Sequence, residues 1–558
     1  MNARCLILTL LVLVPAASAG AQTVTPPSIT KATCGPGSIP EPGLQGRVAK
    51  ADVDSGAAAA GYRCNIEAIG HSGETGGFRV FRYVDKAGHE CAYYDTTLLF
   101  PTNTLNLSLQ PTGVAVLDMS DPTKPVRTAT LVTPAMQTPH ESLNISTERG
   151  ILAAVMGTPA VAPGQVDVYD ISGDCRAPVL KSSAPVGYLG HESGMAPDGK
   201  TFYANSLSTG GTTAVDIGDP VLTRSLGRFD TNSHGMSVSD DGTRGYMAST
   251  DGLRVYDLSQ VQQRKADPQA PLISKLTWPT LTIPQVTLPF TRDGHHYLGE
   301  VDEYSTSDTG GYTANGPRVG AARIIDIEDE THPSVVSDIR LEVHQPENRA
   351  AIAGDYGAQN PTQGYAGHYC QVSSEVDPVL MACSMILSGL RVFDIRDPAH
   401  PKEVAYYLAP PDTISLTGAP VIDERANWAM SQPAFVPERK EIWYSDGTSG
   451  FHVLRLTNDA WPDDSKAAEN GAVFKACRSK RAFTIHIKHP SGDRTRTARV
   501  KVDGKRVKVR KGARHYTARI DLRGIKKKVV VVKIVSRTRS GKIVRETRRY
   551  RTCRPGGA

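Results

Sequence analysis

One short phrase of alternating apolar positions returns down the chain. It reads GVAVLDMSDPTKP at 113–125, QVDVYDISGDCRAP at 165–178, TTAVDIGDP at 212–220, GLRVYDLSQ at 252–260, ARIIDIEDETHP at 322–333 and GLRVFDIRDPAHP at 389–401. GFHVLRLTN at 450–458 is a degenerate seventh copy. The central acid falls at Asp118, Asp170, Asp216, Asp257, Asp326 and Asp394, at intervals of 41 to 69 residues. Period-two alternation predicts a β-strand in each copy. The Asp-Pro or later Pro ends it, because proline lacks the ladder donor and fixes φ. Two more strand-like runs joined by a tight turn precede the phrase, as in SLNIS-TERG-ILAAVMG and GMSVS-DDGT-RGYMAS. Asp198-Gly199 and Asp241-Gly242 suit hairpin turns that need positive φ. A unit of a few strands repeated seven times predicts a β-propeller whose blades surround a channel. The competing architecture, an array of sandwiches, rarely repeats one strand phrase in this way.

The phrases GVAVLDMSDPTKP, GLRVYDLSQ and GLRVFDIRDPAHP resemble LVIVD repeats. The resemblance covers residues 65–457 and implies an exported bacterial β-propeller at the cell surface, used for binding or scaffolding. It supplies no catalytic residues. The seventh copy departs from it, with Leu454 and Arg455 where the others carry an aromatic-Asp pair, which puts the closure of the last blade in question. After a polar linker at 458–473, residues 474–558 alternate strictly in FTIHIKHP, ARVKVDGKRVKV and YTARIDLRG, and turn at Asp503-Gly504 and Ser540-Gly541. This pattern resembles bacterial Ig-like accessory domains. The expected fold class is therefore all-β: a seven-bladed β-propeller followed by a small Ig-like β-sandwich.

Composition adds location. The chain has 558 residues, 39% of them hydrophobic, enough to fill a core and to exclude general disorder. Residues 1–19 read as a signal peptide: Arg4, the apolar run CLILTLLVLVP, then Ala17-Ser18-Ala19 as a cleavage site. Residues 20–64 form an extended N-terminal segment, and no later run approaches a membrane span, so a secreted or cell-surface protein is expected. Of nine cysteines Cys5 lies in the signal, which leaves eight for an oxidising compartment. Cys370 with Cys383 and Cys477 with Cys553 are expected pairs, whereas Cys34, Cys64, Cys91 and Cys175 allow three connectivities. Zinc is the rival use of cysteine, but no C-x-x-C pair exists.

Charge divides the chain. From Lys475 onward there are 29 Lys and Arg against 4 Asp and Glu, while the rest holds 34 against 53. With export expected, the basic segment suits an anionic cell-wall polymer, and with Phe483 and Tyr516 among its few aromatics it offers nucleic acid little to stack on. Partners of the propeller would be a surface protein, a glycan or a small ligand.

Catalytic motifs are missing. There is no G-x-S-x-G, H-E-x-x-H, Walker or dinucleotide glycine loop and no EF-hand phrase. One constellation remains. Histidines stand ahead of strand-like runs in five repeats: His140, His191, His234, His296 and His368, with Asn65 and Gln432 near the corresponding place elsewhere. Propeller blades present such positions as a ring at one channel mouth. Imidazoles there would suit a transition metal such as copper, zinc or iron, with Glu141, Glu192, Glu300, Asp302 and Glu303 as orienting carboxylates, and would imply a metal-dependent oxidoreductase. The alternative is duplicated structural histidines in a binding scaffold.

Overall fold

A computed structural model describes residues 26–96, 112–157, 164–206, 211–278, 282–307, 309, 311, 313, 316–359, 363–413, 425–462, 482–487, 493–502, 505–512, 515–523 and 529–551. The chain divides into two compact units, Met1–Trp461 and Pro462–Ala558. In the first, every repeat phrase becomes the third strand of a four-stranded antiparallel sheet: Val114–Asp118, Val166–Asp170, Gly211–Asp216, Gly252–Asp257, Ala322–Asp326, Leu390–Asp394 and Gly450–Leu456. Seven such sheets form a seven-bladed β-propeller.

Alternation in these strands separates two cores. Along Val166–Asp170, Val166 and Val168 enter a cluster with Phe202 and Val215 of the following blade, whereas Tyr169 joins Tyr93 and Val116 of the preceding one. Both faces of the strand are therefore buried, which explains why the phrases carry apolar residues on both parities. The acid that closes each phrase has a local role. The Oδ1 atoms of Asp118, Asp170, Asp216, Asp257, Asp326 and Asp394 each accept the backbone N–H two residues on, at 2.8 to 3.0 Å. All six of those blades also shift register once between third and fourth strands, a bulge that lets the outer strand bend away.

The ring closes through the N-terminus. Ile66–Ser72 pairs with Gly450–Leu456 and is the outer strand of the last blade, and Tyr62–Cys64 adds a fifth strand to the blade before it. The first hairpin is thus Val80–Val84 with Glu90–Asp95, and residues 66–72 do not belong to it. Arg455, where the seventh phrase departs from the rest, bonds Glu441 Oε1 of the neighbouring strand at 3.3 Å, so the departure leaves the ring shut.

Cys370–Cys383 joins directly paired positions of two strands. The four open cysteines resolve as Cys34–Cys64, which ties the N-terminal segment to Tyr62–Cys64, and Cys91–Cys175, which links the first two blades. Cys477, Cys553 and the signal peptide lie outside the described residues. The second unit is a β-sandwich. One sheet holds Ala482–Ile487, Tyr516–Asp521 and Val509–Lys511; the other holds Lys505–Val507, Thr495–Val502, Val529–Thr538 and Ile543–Arg551. Ile485, Val500, Ile520, Val532 and Ile534 fill the space between them. Among the described residues no helix is long and apolar enough to cross a membrane.

Candidate metal centre

At one mouth of the channel the chain enters each inner strand, and four of the five expected histidines meet there. His140, His191, His234 and His368 precede or abut Asn144–Ser146, Glu192–Met195, Met236–Val238 and Tyr369–Val372. Their rings follow one another around the axis, with centroids 4.4 Å apart for His140 and His191 and 4.9 Å for His191 and His234. The first blade contributes Phe78, whose ring lies 4.4 Å from His140 and 5.3 Å from His368. His140 takes a left-handed backbone conformation, φ 51°, which a side-chain-bearing residue keeps only where its surroundings hold it.

The imidazoles converge on Glu141. Its Oε2 lies 3.2 Å from His191 Nε2, 3.3 Å from His234 Nε2 and 3.7 Å from His140 Nδ1, and its Oε1 lies 3.1 Å from His368 Nε2. Glu303 approaches from the fifth blade, 3.4 Å from His368 Nε2 and 3.7 Å from His234 Nδ1. His191 Nε2 and His234 Nε2 are 2.9 Å apart. Backbone carbonyls set two of the tautomers. His234 Nδ1–H donates to Pro284 O at 3.2 Å and His368 Nδ1–H to Met430 O at 2.9 Å, because a carbonyl can only accept. Both Nε2 atoms then face the cluster, where they donate to its carboxylates while protonated and offer lone pairs to a cation that displaces that proton. Glu141 Oε2, His140 Nδ1 and His368 Nε2 are buried and have no hydrogen bond of good geometry, so these groups point into a common space.

Electrostatics reflect the crowding. Burial lowers His140 to about 3. Burial acts the same way on His368, but its bonds to Glu141 and Glu303 outweigh it and push the group up to about 10. For Glu141 burial works upward, and the charges of His140 and His191 overcome it and hold the carboxyl well below its usual range. Two buried carboxylates among four imidazoles make a site that favours positive charge.

His296 does not join the cluster. It stands near the start of the second strand of its blade, His295–Glu303, opposite Thr291, and is exposed. Seven residues of strand, roughly 23 Å, separate it from Glu303. The inner strand of that blade is Ile283–Arg292, disguised in the sequence by Pro284 and Pro289. A signal was present: Gly294 precedes His296, whereas after His140, His191 and His234 the turn glycine follows, at Gly150, Gly199 and Gly242. Asn65 is likewise misplaced. It sits between the two N-terminal strands and bonds Gly35 N, Thr33 O and Val404 O, a brace for the N-terminal segment. Glu300 and Asp302 also turn elsewhere, both binding the buried Arg323 and so anchoring the strand that delivers Glu303.

One residue further into the channel lies a second ring, Arg79, Glu192, Gly235, Gln285, Tyr369 and Gln432, of which the sequence singled out only Glu192 and Gln432. Arg79 pairs with Glu192 and stands 3.4 Å from the Tyr369 hydroxyl, to which Gln285 Nε2 donates at 3.3 Å. Burial raises Glu192 to about 8, with Arg79 opposing and Glu141 adding to the shift. Gly235 makes room for this ring, since a Cβ there would lie 1.7 Å from Glu192 Oε2. Beneath it a cavity of about 720 Å³ follows the inner strands, from Arg79 and Gln432 to a mouth with Glu148, Asp240 and Glu375.

No family model matches the chain, and no curated protein matches it. Solved structures similar to it include a putative 6-phosphogluconolactonase from Bacteroides uniformis, at 12% identity over 62% of this chain and 91% of that one, TM-score 0.41. The periplasmic gluconolactonase of Pseudomonas aeruginosa is similar at 13% identity over 61% and 89%, TM-score 0.39. The beta-propeller domain of Cps50 from Myceliophteria thermophila is similar at 14% identity over 70% and 99%, TM-score 0.42.

Proposed function

We propose that this chain is an exported LVIVD-type β-propeller that holds a transition-metal ion at one mouth of its channel, through His140, His191, His234 and His368 with Glu141 and Glu303, and acts as a metal-dependent oxidoreductase. One observation carries the reading. His234 and His368 each spend the Nδ1 proton on a backbone carbonyl, which turns their Nε2 atoms toward the buried Glu141 carboxylate, where a metal ion can take the place of the Nε2 proton. Metal-ligating histidines are usually oriented in this way, and imidazole suits copper, zinc, iron and nickel. Once bound, such an ion supplies Lewis-acid or electron-transfer chemistry. The chain's own residues hold and orient it, the Phe78 ring shields one side, and His191, with a side chain 26% exposed, marks the open side. Three disulfides suit an oxidising compartment and support the export part of the reading.

Elemental analysis of the mature protein, purified without a histidine tag, tests it. About one equivalent of copper, zinc or iron, lost in the His234→Ala, His368→Ala double variant, is expected; a native protein that takes up no metal even after loading ends the reading. A second reading, a scaffold that binds a small polar ligand without metal, is favoured by the cavity, where the buried Arg79 Nε and Gln432 Oε1 have no partner.

A further inference from the structure

In the second unit charge is sorted by face. Val500, Val530, Val532 and Ile534 are buried in the sandwich core, so the alternate positions of the same strands point away from it. Those positions and their neighbours across the sheet are Arg499, Lys501, Arg506, Lys533, Arg537 and Arg545, all exposed. Among the described residues none of the six forms an ion pair and no carboxylate shares the face. Glu546 has the opposite parity, paired with Ile534, and is bound to Arg548. The remaining described positions of the face are Thr497, Val531, Val535 and Ile543, with no aromatic ring.

This arrangement works against folding. Lys501 lies directly opposite both Lys533 and Arg506, and like charges in that relation destabilise a sheet. A surface chosen only for solubility would mix signs. Neighbouring strands are about 4.8 Å apart and same-face residues about 6.7 Å apart along a strand, so the cations form a grid at the spacing of closely placed anions on a flexible chain.

We propose that this sheet face, Thr495–Val502 with Lys505–Val507, Val529–Thr538 and Ile543–Arg551, is the binding surface for a linear phosphodiester polymer of the cell envelope, recognised by charge and spacing. The flat grid matches a chain of single phosphates, and the missing aromatic rings leave no platform for bases. The proposal does not rest on the metal site.

The test uses the full chain with inorganic polyphosphate as probe, titrated at several salt concentrations. Contacts to about six phosphates predict a slope of log affinity against log salt of about −4 to −5. Replacing both lysines, Lys501→Gln with Lys533→Gln, is expected to lower affinity at least tenfold and flatten that slope by about 1.5. The same variant is expected to melt at an equal or higher temperature, since it removes a repulsion; this separates lost binding from lost folding. Arg510→Gln with Arg519→Gln, on the outer side of the other sheet, is expected to change affinity less than twofold. No binding at about 50 mM salt, or an equal loss from the two double variants, overturns the proposal. So does tighter binding to single-stranded DNA of equal charge, or to vesicles of an acidic lipid.

Discussion

Glu141 is the residue on which the cluster depends. Four imidazoles face it, and its two oxygens are shared among them without one well-formed hydrogen bond for Oε2. Glu141→Gln keeps the shape and removes the charge, so it is expected to weaken metal binding at least tenfold, read by competition with a chelator. His296→Ala serves as the contrast: from its exposed place at the far end of its strand it should leave affinity unchanged. Equal retention of metal in Glu141→Gln would show that the carboxylate only fills space. Gly235 acts by what it lacks. A methyl there must displace Glu192 and the Gln285 carbonyl, so Gly235→Ala is expected to cost about 1 to 3 kcal/mol in chemical denaturation, the usual range for overpacking. The histidines were legible one by one, because each of the four stands shortly before a strand-like run that opens a hairpin. Phe78, Pro284 and Met430 were not, since a ring that shields and carbonyls that orient leave no mark in the residue type.

Among elements, the decisive one is Ile66–Ser72. It lies almost 400 residues from its partner strand Gly450–Leu456 and closes the last blade. Shortening the chain past Ser72 leaves that blade with three strands and a bare edge, and is expected to abolish cooperative unfolding of the propeller, monitored by near-ultraviolet circular dichroism. Cys91–Cys175 spans 84 residues and bonds the second strand of one blade to the end of the next blade's repeat phrase. Cys91→Ser with Cys175→Ser should destabilise the propeller by roughly 2 to 5 kcal/mol. A loss under about 1 kcal/mol would mean that the shared core of Tyr93, Val116 and Tyr169 already joins the two blades. The inner strand Ile283–Arg292 shows how element reading failed. Two prolines normally demote a strand, yet this one tolerates them because its inner edge faces the channel and needs no ladder donor there.

On the scale of the whole molecule the two units have separate cores and opposite charge. Calorimetry of the full chain is expected to resolve two transitions. A bound transition metal should raise only the propeller's transition, and polyphosphate only that of the basic unit, because a ligand stabilises what it binds. A single transition moved by both ligands would contradict this division.

Blade number, strand phrases and the split in charge were readable from the chain itself, because each is a local pattern of period, turn chemistry or composition. Three things required the tertiary structure: how Cys34, Cys64, Cys91 and Cys175 pair, which histidines converge, and which carboxylate they share. The Cys34–Cys64 and Cys91–Cys175 pairs depend on how the N-terminal segment and the first two blades are laid side by side. Glu303 enters the cluster from the end of a second strand, while His296 leaves it by the length of that strand. The physical reason is the same in each case: a repeat dictates its own strands, but only ring closure brings the ends of separate blades onto one axis.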